Sequence, residues 1–148
     1  MIEAAPSRPA SAAATRISRP TSTRRSAGAS SPRCSGRAAE QAVARFLVER
    51  GFHIVARNLR LQYLELDIVA RRGELVVVVE VRERSSGAWT SGFGSLDGRK
   101  RYRIRLAGQR LWQRRYRHDL SVKRLRFDAA SVRFGPEGPE IEYVEAAF

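Results

Sequence analysis

Cysteine, histidine, lysine and long apolar runs are all scarce in this chain. The single cysteine, Cys34, excludes an internal disulfide and suits a reducing compartment. His53 and His118, the two histidines, are too scattered in the sequence to form a zinc site of ordinary ligand spacing. No apolar run is long enough to span a bilayer, and the N-terminus lacks the hydrophobic block of a secretory signal. A cytoplasmic protein without a membrane partner is therefore expected. Large aliphatic residues are almost missing from residues 1–35, where Ile2 and Ile17 stand among Ala, Ser, Arg, Pro and Thr. Such a segment cannot bury enough apolar surface to offset the entropy of ordering it. Residues 1–35 are accordingly expected to be a disordered tail, and 36–148 the single folded domain. The tail is Arg- and Ser-rich and acid-poor, as organellar transit peptides are. A disordered bacterial extension or a misassigned start codon is the plainer reading.

Lysine is rare because arginine takes its place. Of 28 basic residues only Lys100 and Lys123 are lysine, which with the abundant Ala, Gly and Pro points to GC-rich codons. Against 15 acidic residues the net charge is +13; the tail carries six Arg and one Glu, so the domain keeps +8. An excess of that size attracts polyanions, nucleic acid first.

Periodicity sets the element order. Ala39, Ala42, Val43, Phe46 and Leu47 form one apolar stripe of a helix over 37–50, stopped by Gly51. Residues 52–57 alternate as a short strand, and 58–62 read as a connection. Strands are expected over 64–70 and 75–81, the second an apolar run broken only by Glu80, as in a strand covered on both faces. Residues 85–98, with four glycines, Trp89 and Phe93, read as a long loop. A second helix over 99–118 places Ile104, Ala107, Leu111 and Arg115 on one face. Strands over 125–132 and 140–144 complete the order α-β-β-β-α-β-β, a mixed α/β sheet of about five strands flanked by helices.

Glu80 is the most informative residue. A carboxylate inside VVVVEV must find a partner, a metal ion or an edge position, because burying an unpaired charge is costly. With Arg72-Gly73 as a two-residue turn, Asp67 faces Val78 and Glu80 is its diagonal neighbour, about 7–8 Å away at the backbone. Two carboxylates so placed can converge on one hard cation, Mg²⁺ or Mn²⁺. Glu40, beside the apolar stripe of the first helix, is a candidate third carboxylate. The second helix carries nine Lys or Arg between residues 98 and 118 and no acid, so it is the expected phosphate-contacting surface. The candidates on this surface are Arg84, Arg99, Lys100, Arg101, Arg103, Arg105 and Arg110. Trp112 and Tyr116 are candidates for base stacking or for packing on the sheet.

Read in order, Gly36 with Glu40, Arg57-Asn58, Glu65-Leu66-Asp67-Ile68-Val69-Ala70, Val79-Glu80-Val81-Arg82-Glu83-Arg84, Arg126-Phe127-Asp128 and the terminal Ala147-Phe148 resemble the YraN-like family of bacterial proteins. That family is similar to the restriction-endonuclease-like, PD-(D/E)xK group, and the resemblance spans residues 36–148. It implies a Mg²⁺-dependent phosphodiesterase-type centre with Asp67 and Glu80 as metal ligands and the Val81 carbonyl as a further one. Glu40 and Arg82 would complete the catalytic set. The implied partner is nucleic acid, DNA ahead of RNA, and the resemblance allows for a homodimer. Three positions depart from the family pattern: Ala39 and Leu64 stand where it has Gly, and Arg82 where it has Lys. Arginine stays protonated and cannot serve as a base, although its planar fork can grip phosphate. Two functions therefore remain open: a metal-dependent endonuclease, or a nucleic-acid-binding module or scaffold that keeps the fold without turnover.

Overall fold

The computed structural model describes residues 15–17, 32–84 and 97–148. The apolar stripe around Val43 forms α1 (Pro32–Glu49), which begins before the expected residue 37. Gly51 ends it with a φ of 78°, a backbone state glycine adopts without a steric penalty, and the Phe52 amide returns to the Leu47 carbonyl at 3.0 Å.

Five strands follow: β2 (His53–Leu61), β3 (Leu64–Arg72), β4 (Leu75–Glu83), β5 (Arg124–Gly135) and β6 (Gly138–Val144). Thr15–Ile17 forms β1, and the sheet order is β1-β6-β5-β4-β3-β2. β4 and β5 are parallel and every other pairing is antiparallel. Parallel neighbours need a crossover, and α2 (Gly98–Leu111) lies on it. The fold is thus mixed α/β with the expected order of elements. β1 lies inside the segment expected to lack structure; it joins the edge of β6 through backbone pairing, which needs no buried core of its own.

Each sheet face has its own core. On the α1 side Val43, Leu47, Ile68, Ala70, Val77, Val79, Ala130 and Val132 pack together. On the α2 side the cluster is built from Leu64, Leu66, Val69, Val76, Val78, Ile104, Ala107 and Leu111. The run from Val76 to Val79 is therefore buried on both faces, as its unbroken hydrophobicity requires.

Three local readings change. Residues 58–61, expected as a connection, continue β2 and close a two-residue loop onto β3, with Leu61 paired to Leu64. The turn between β3 and β4 is Gly73-Glu74, because Arg72 pairs with Leu75. Two-residue hairpin loops of this kind need positive φ at their first position, and Gly73 takes it at 57° where Arg72 would be strained. Finally, α2 ends in a π turn, Trp112–Tyr116, with the Arg117 amide bonded to the Trp112 carbonyl at 2.8 Å. That wider turn moves the apolar face on by one residue. Tyr116 is buried and Arg115, expected on that face, is exposed. Trp112 also packs on the α2-side core, so this pair serves the sheet.

Gly108 marks the tightest contact of α2 with the sheet. A Cβ there would meet the Phe127 ring, at 2.6 Å from Cζ and closer still to Cε1. Gly108→Ala is expected to destabilise the domain by about 1–2 kcal/mol, overpacking outweighing a helix-propensity gain of roughly 1 kcal/mol. A urea titration that finds the variant equal or more stable would contradict this packing.

Candidate metal and nucleic-acid site

The site begins where two strands stop pairing. The β3–β4 ladder ends at Ile68 opposite Val79, although β3 starts at Leu64 and β4 runs on to Glu83 beside β5. β3 is irregular at this point. Leu66 packs on the α2 side and Ile68 on the α1 side, although residues two apart in a strand should share a face. On β2 the opposing residue is Asn58, flanked by the pairs Arg57–Ile68 and Leu59–Leu66, and its φ is 50°. Asp67 sits between these breaks. Its carboxylate fills the fork, accepting the Val81 amide at 2.8 Å in place of a ladder bond.

Extending the ladder by one pair places Asp67 opposite Glu80. The expected register set Glu80 diagonally across, and the turn at Gly73-Glu74 corrects it by two places; an even shift keeps both residues on their faces. Glu80 is buried, with 3% exposure. The Asp67 carboxyl is pushed up to about 7, first by burial and next by the Glu80 charge, while the Val81 amide and Lys100 pull the other way.

Two cations attend Glu80. The Lys100 ammonium, from the first turn of α2, contacts Glu80 Oε1, and Arg82 Nε lies 3.7 Å from the same oxygen. The Arg82 Nε and the Ser131 Oγ are buried and have no hydrogen-bond partner among the described residues. Arg82 and Ser131 are paired positions of β4 and β5, so unsatisfied polar atoms gather beside the carboxylates.

The other candidates divide. Glu40 accepts from Asn58 Nδ2 at 2.7 Å and lies 3.9 Å from Arg57, so it reaches the β2 residue opposite Asp67. Among the described residues no group of three or more His, Cys, Asp or Glu could hold a metal ion. Val81 packs toward the α1-side core and gives its amide to Asp67. Arg84 donates to Glu142 on β6 at 3.2 Å. Arg99 and Arg105 are exposed on α2 and Arg101 is half-buried. Arg103 and Arg110, seven residues apart on α2, both reach the tip of the β2–β3 loop. His53 and His118 are both exposed, and the loop expected over 85–98, with Trp89 and Phe93, lies outside the described residues up to 96.

Sequence reasoning had Lys100 among the phosphate contacts and missed its place at Glu80. The one signal is weak: Lys100 is one of two lysines in an arginine-rich chain, and the other, Lys123, pairs with the exposed Glu74. Ser131 carried no signal.

An α/β sheet opened at one fork, with the buried Glu80 and the half-buried Asp67 side by side under a basic helix, defines a mixed α/β domain with a polar centre at the strand fork. Residues 39–132 match the uncharacterised protein family UPF0102. A UPF0102 protein of Sorangium cellulosum is 46% identical over 117 residues, covering 78% of this chain and 81% of its own. One of Anaeromyxobacter dehalogenans is 39% identical over 113 residues (76% and 82%), and one of Pelotomaculum thermopropionicum 36% over 115 (76% and 93%). The chain belongs to UPF0102, the YraN-like family that its ordered motifs resemble.

Proposed function

We propose that this protein binds nucleic acid and hydrolyses phosphodiester bonds with a divalent metal ion, as an endonuclease of the restriction-endonuclease-like, PD-(D/E)xK type. One observation carries the reading: Asp67 and Glu80 meet at an opened strand fork beneath a helix that delivers Lys100 to Glu80. Burial first and the Glu80 charge next hold the Asp67 carboxyl up to about 7, so its ionised form gains from added positive charge. A divalent ion between the two carboxylates would supply it. The donors fit Mg²⁺ or Mn²⁺, which accept few carboxylates and retain waters. Asp67 and Glu80 would hold the ion, with the Val81 carbonyl as a third donor. When bound, it supplies Lewis-acid polarisation of the phosphodiester.

The chain's own residues account for the rest. Lys100 and Arg82 lie where ammonium and guanidinium groups can bind phosphate oxygens and offset charge developing on phosphorus. Arg82 takes no proton; Lys100 brings an ammonium to a site whose strand carries Arg82 where the family pattern has Lys. Glu40, through Asn58, positions the strand segment that carries Asp67. Arg99, Arg101 and Arg105 would follow the phosphate backbone without reading bases, DNA being the expected partner ahead of RNA.

The test is a labelled panel of single strand, duplex, flap and four-way junction with Mg²⁺ or Mn²⁺, and EDTA as control. Wild type is expected to cut, Asp67→Ala to lose cleavage while still binding, and Lys100→Ala to slow it on the order of 100-fold. Cleavage by Asp67→Ala equal to wild type would sink the proposal. Salt-sensitive binding without cleavage by wild type would favour a module that kept the fold and lost turnover, the reading that Arg82 motivates.

A further inference from the structure

The β2–β3 loop is a tight two-residue tip, Gln62-Tyr63, closed by the Leu61–Leu64 pair. Gln62 holds a φ of 61°, a conformation usually left to glycine, asparagine or aspartate in such loops. The Tyr63 side chain is 67% exposed, while its neighbours Leu61 and Leu64 are buried, so the ring adds little to the core. α2 nonetheless fixes this tip from two points. Arg103 donates to the Tyr63 carbonyl at 3.2 Å. Arg110 donates to Gln62 Oε1 at 2.8 Å and to the Tyr63 hydroxyl at 3.3 Å, with its guanidinium carbon 5.3 Å from the ring centroid. A strained tip pinned to hold an exposed aromatic ring is a feature the fold alone does not require.

The location adds the chemistry. Arg103 lies three residues beyond Lys100 on α2, roughly 4.5 Å along the helix axis, and Lys100 touches Glu80. Arg110, which faces the ring, lies ten residues beyond Lys100, roughly 15 Å along the axis, so the ring stands among the arginines of the basic face, about three helical turns from the acidic centre. Charge alone serves a duplex, whose bases are already stacked. An exposed ring amid arginines gains most from a base free to stack on it.

We propose that Tyr63 is a stacking platform for an unpaired base, so that the substrate class of this site is nucleic acid with a single-stranded segment. The inference rests on the nucleic-acid-binding part of the function proposed above. It is tested by fluorescence anisotropy of the full chain in EDTA with labelled oligo(dT), oligo(rU) and a duplex of equal length. Tyr63→Ala is expected to weaken single-strand binding by about 5- to 150-fold and to leave duplex binding within about twofold. Tyr63→Phe should keep wild-type affinity, and Tyr63→Leu, bulky without a π face, should behave as alanine does. Whichever single strand shows the larger Tyr63 effect identifies DNA or RNA as the source of the base. Equal losses on single strand and duplex, no loss at all, or a fully active leucine variant would overturn the platform and leave the basic-face reading standing. Failure of wild type to bind any of the three would overturn both.

Discussion

Replacing Asp128 with alanine is expected to lower stability by about 3–5 kcal/mol, a large share of the 5–15 kcal/mol typical of a domain. Asp128 is fully buried and all of its acceptor capacity is used. Arg126 donates twice, Nε to Oδ1 at 2.8 Å and a terminal nitrogen to Oδ2 at 2.9 Å. The Tyr143 hydroxyl donates to Oδ2 at 2.6 Å and the Ala146 amide to Oδ1 at 2.9 Å. Burial first, and then the Asp128 charge, hold the Tyr143 hydroxyl far above the usual tyrosine range, so it remains a donor at any ordinary pH. Alanine would leave the buried Tyr143 hydroxyl without its acceptor and the partly buried Arg126 guanidinium with Glu145 alone, at 2.8 Å. It would also release the chain end, where the Ala147 amide bonds to the Phe127 carbonyl at 2.8 Å and Phe148 packs on Phe127 at 6.0 Å. The thermal midpoint should fall by roughly 12–20 °C. Adding Arg126→Met to an Asp128→Leu variant should recover much of the loss, because breaking a buried pair costs more than replacing it. A loss below about 1 kcal/mol in Asp128→Ala would mean the carboxylate is not the hub of this network.

Asp67→Asn should change stability in the opposite direction. Asparagine keeps an oxygen for the Val81 amide and removes the charge that the fork holds poorly. With Asp67 raised from 3.8 to about 7, the folded protein retains a proton that the unfolded chain has released across that interval. The metal-free protein therefore loses stability as pH rises from about 4 to about 7, and the penalty is complete above that. A shift of about three pH units sets a ceiling near 4 kcal/mol; solvent access to the fork and sharing with Glu80 reduce it to roughly 1–3 kcal/mol. In EDTA, urea titrations should find Asp67→Asn more stable than wild type by that amount at pH 8 and equal to it near pH 4. Added Mg²⁺ should stabilise wild type at pH 8 and leave the variant unchanged. A variant less stable than wild type at pH 8 would show that the charge supports the fold. Gain of stability with loss of metal response is the behaviour of a functional site held at a cost to the fold.

Much of this was legible in the residues. The stripe around Val43 and the run ending at Glu80 fixed a helix and a central strand because side-chain periods of 3.6 and 2 follow from backbone geometry alone. Asp67 and Glu80 stood out because charge is rare in such runs. The Arg126-Phe127-Asp128 match was visible, but its structural weight was not, since Tyr143 and the Ala146 amide reach Asp128 only through the β5–β6 pairing.

By itself the sequence determined the order of elements from α1 to β6, the apolar residues that the core buries, the excess positive charge of α2 and the carboxylates available for chemistry. Tertiary structure alone decided the register that sets Asp67 against Glu80, the fork that opens there, the approach of Lys100 and the pinning of Tyr63. The reason is one of range. Alternation tells which face a residue takes, but registers two places apart satisfy it equally, and only the turn conformation at Gly73 separates them. Lys100 and Glu80, like Arg110 and Tyr63, meet across elements far apart in the chain, and no local pattern encodes a contact that exists only once helix and sheet have packed.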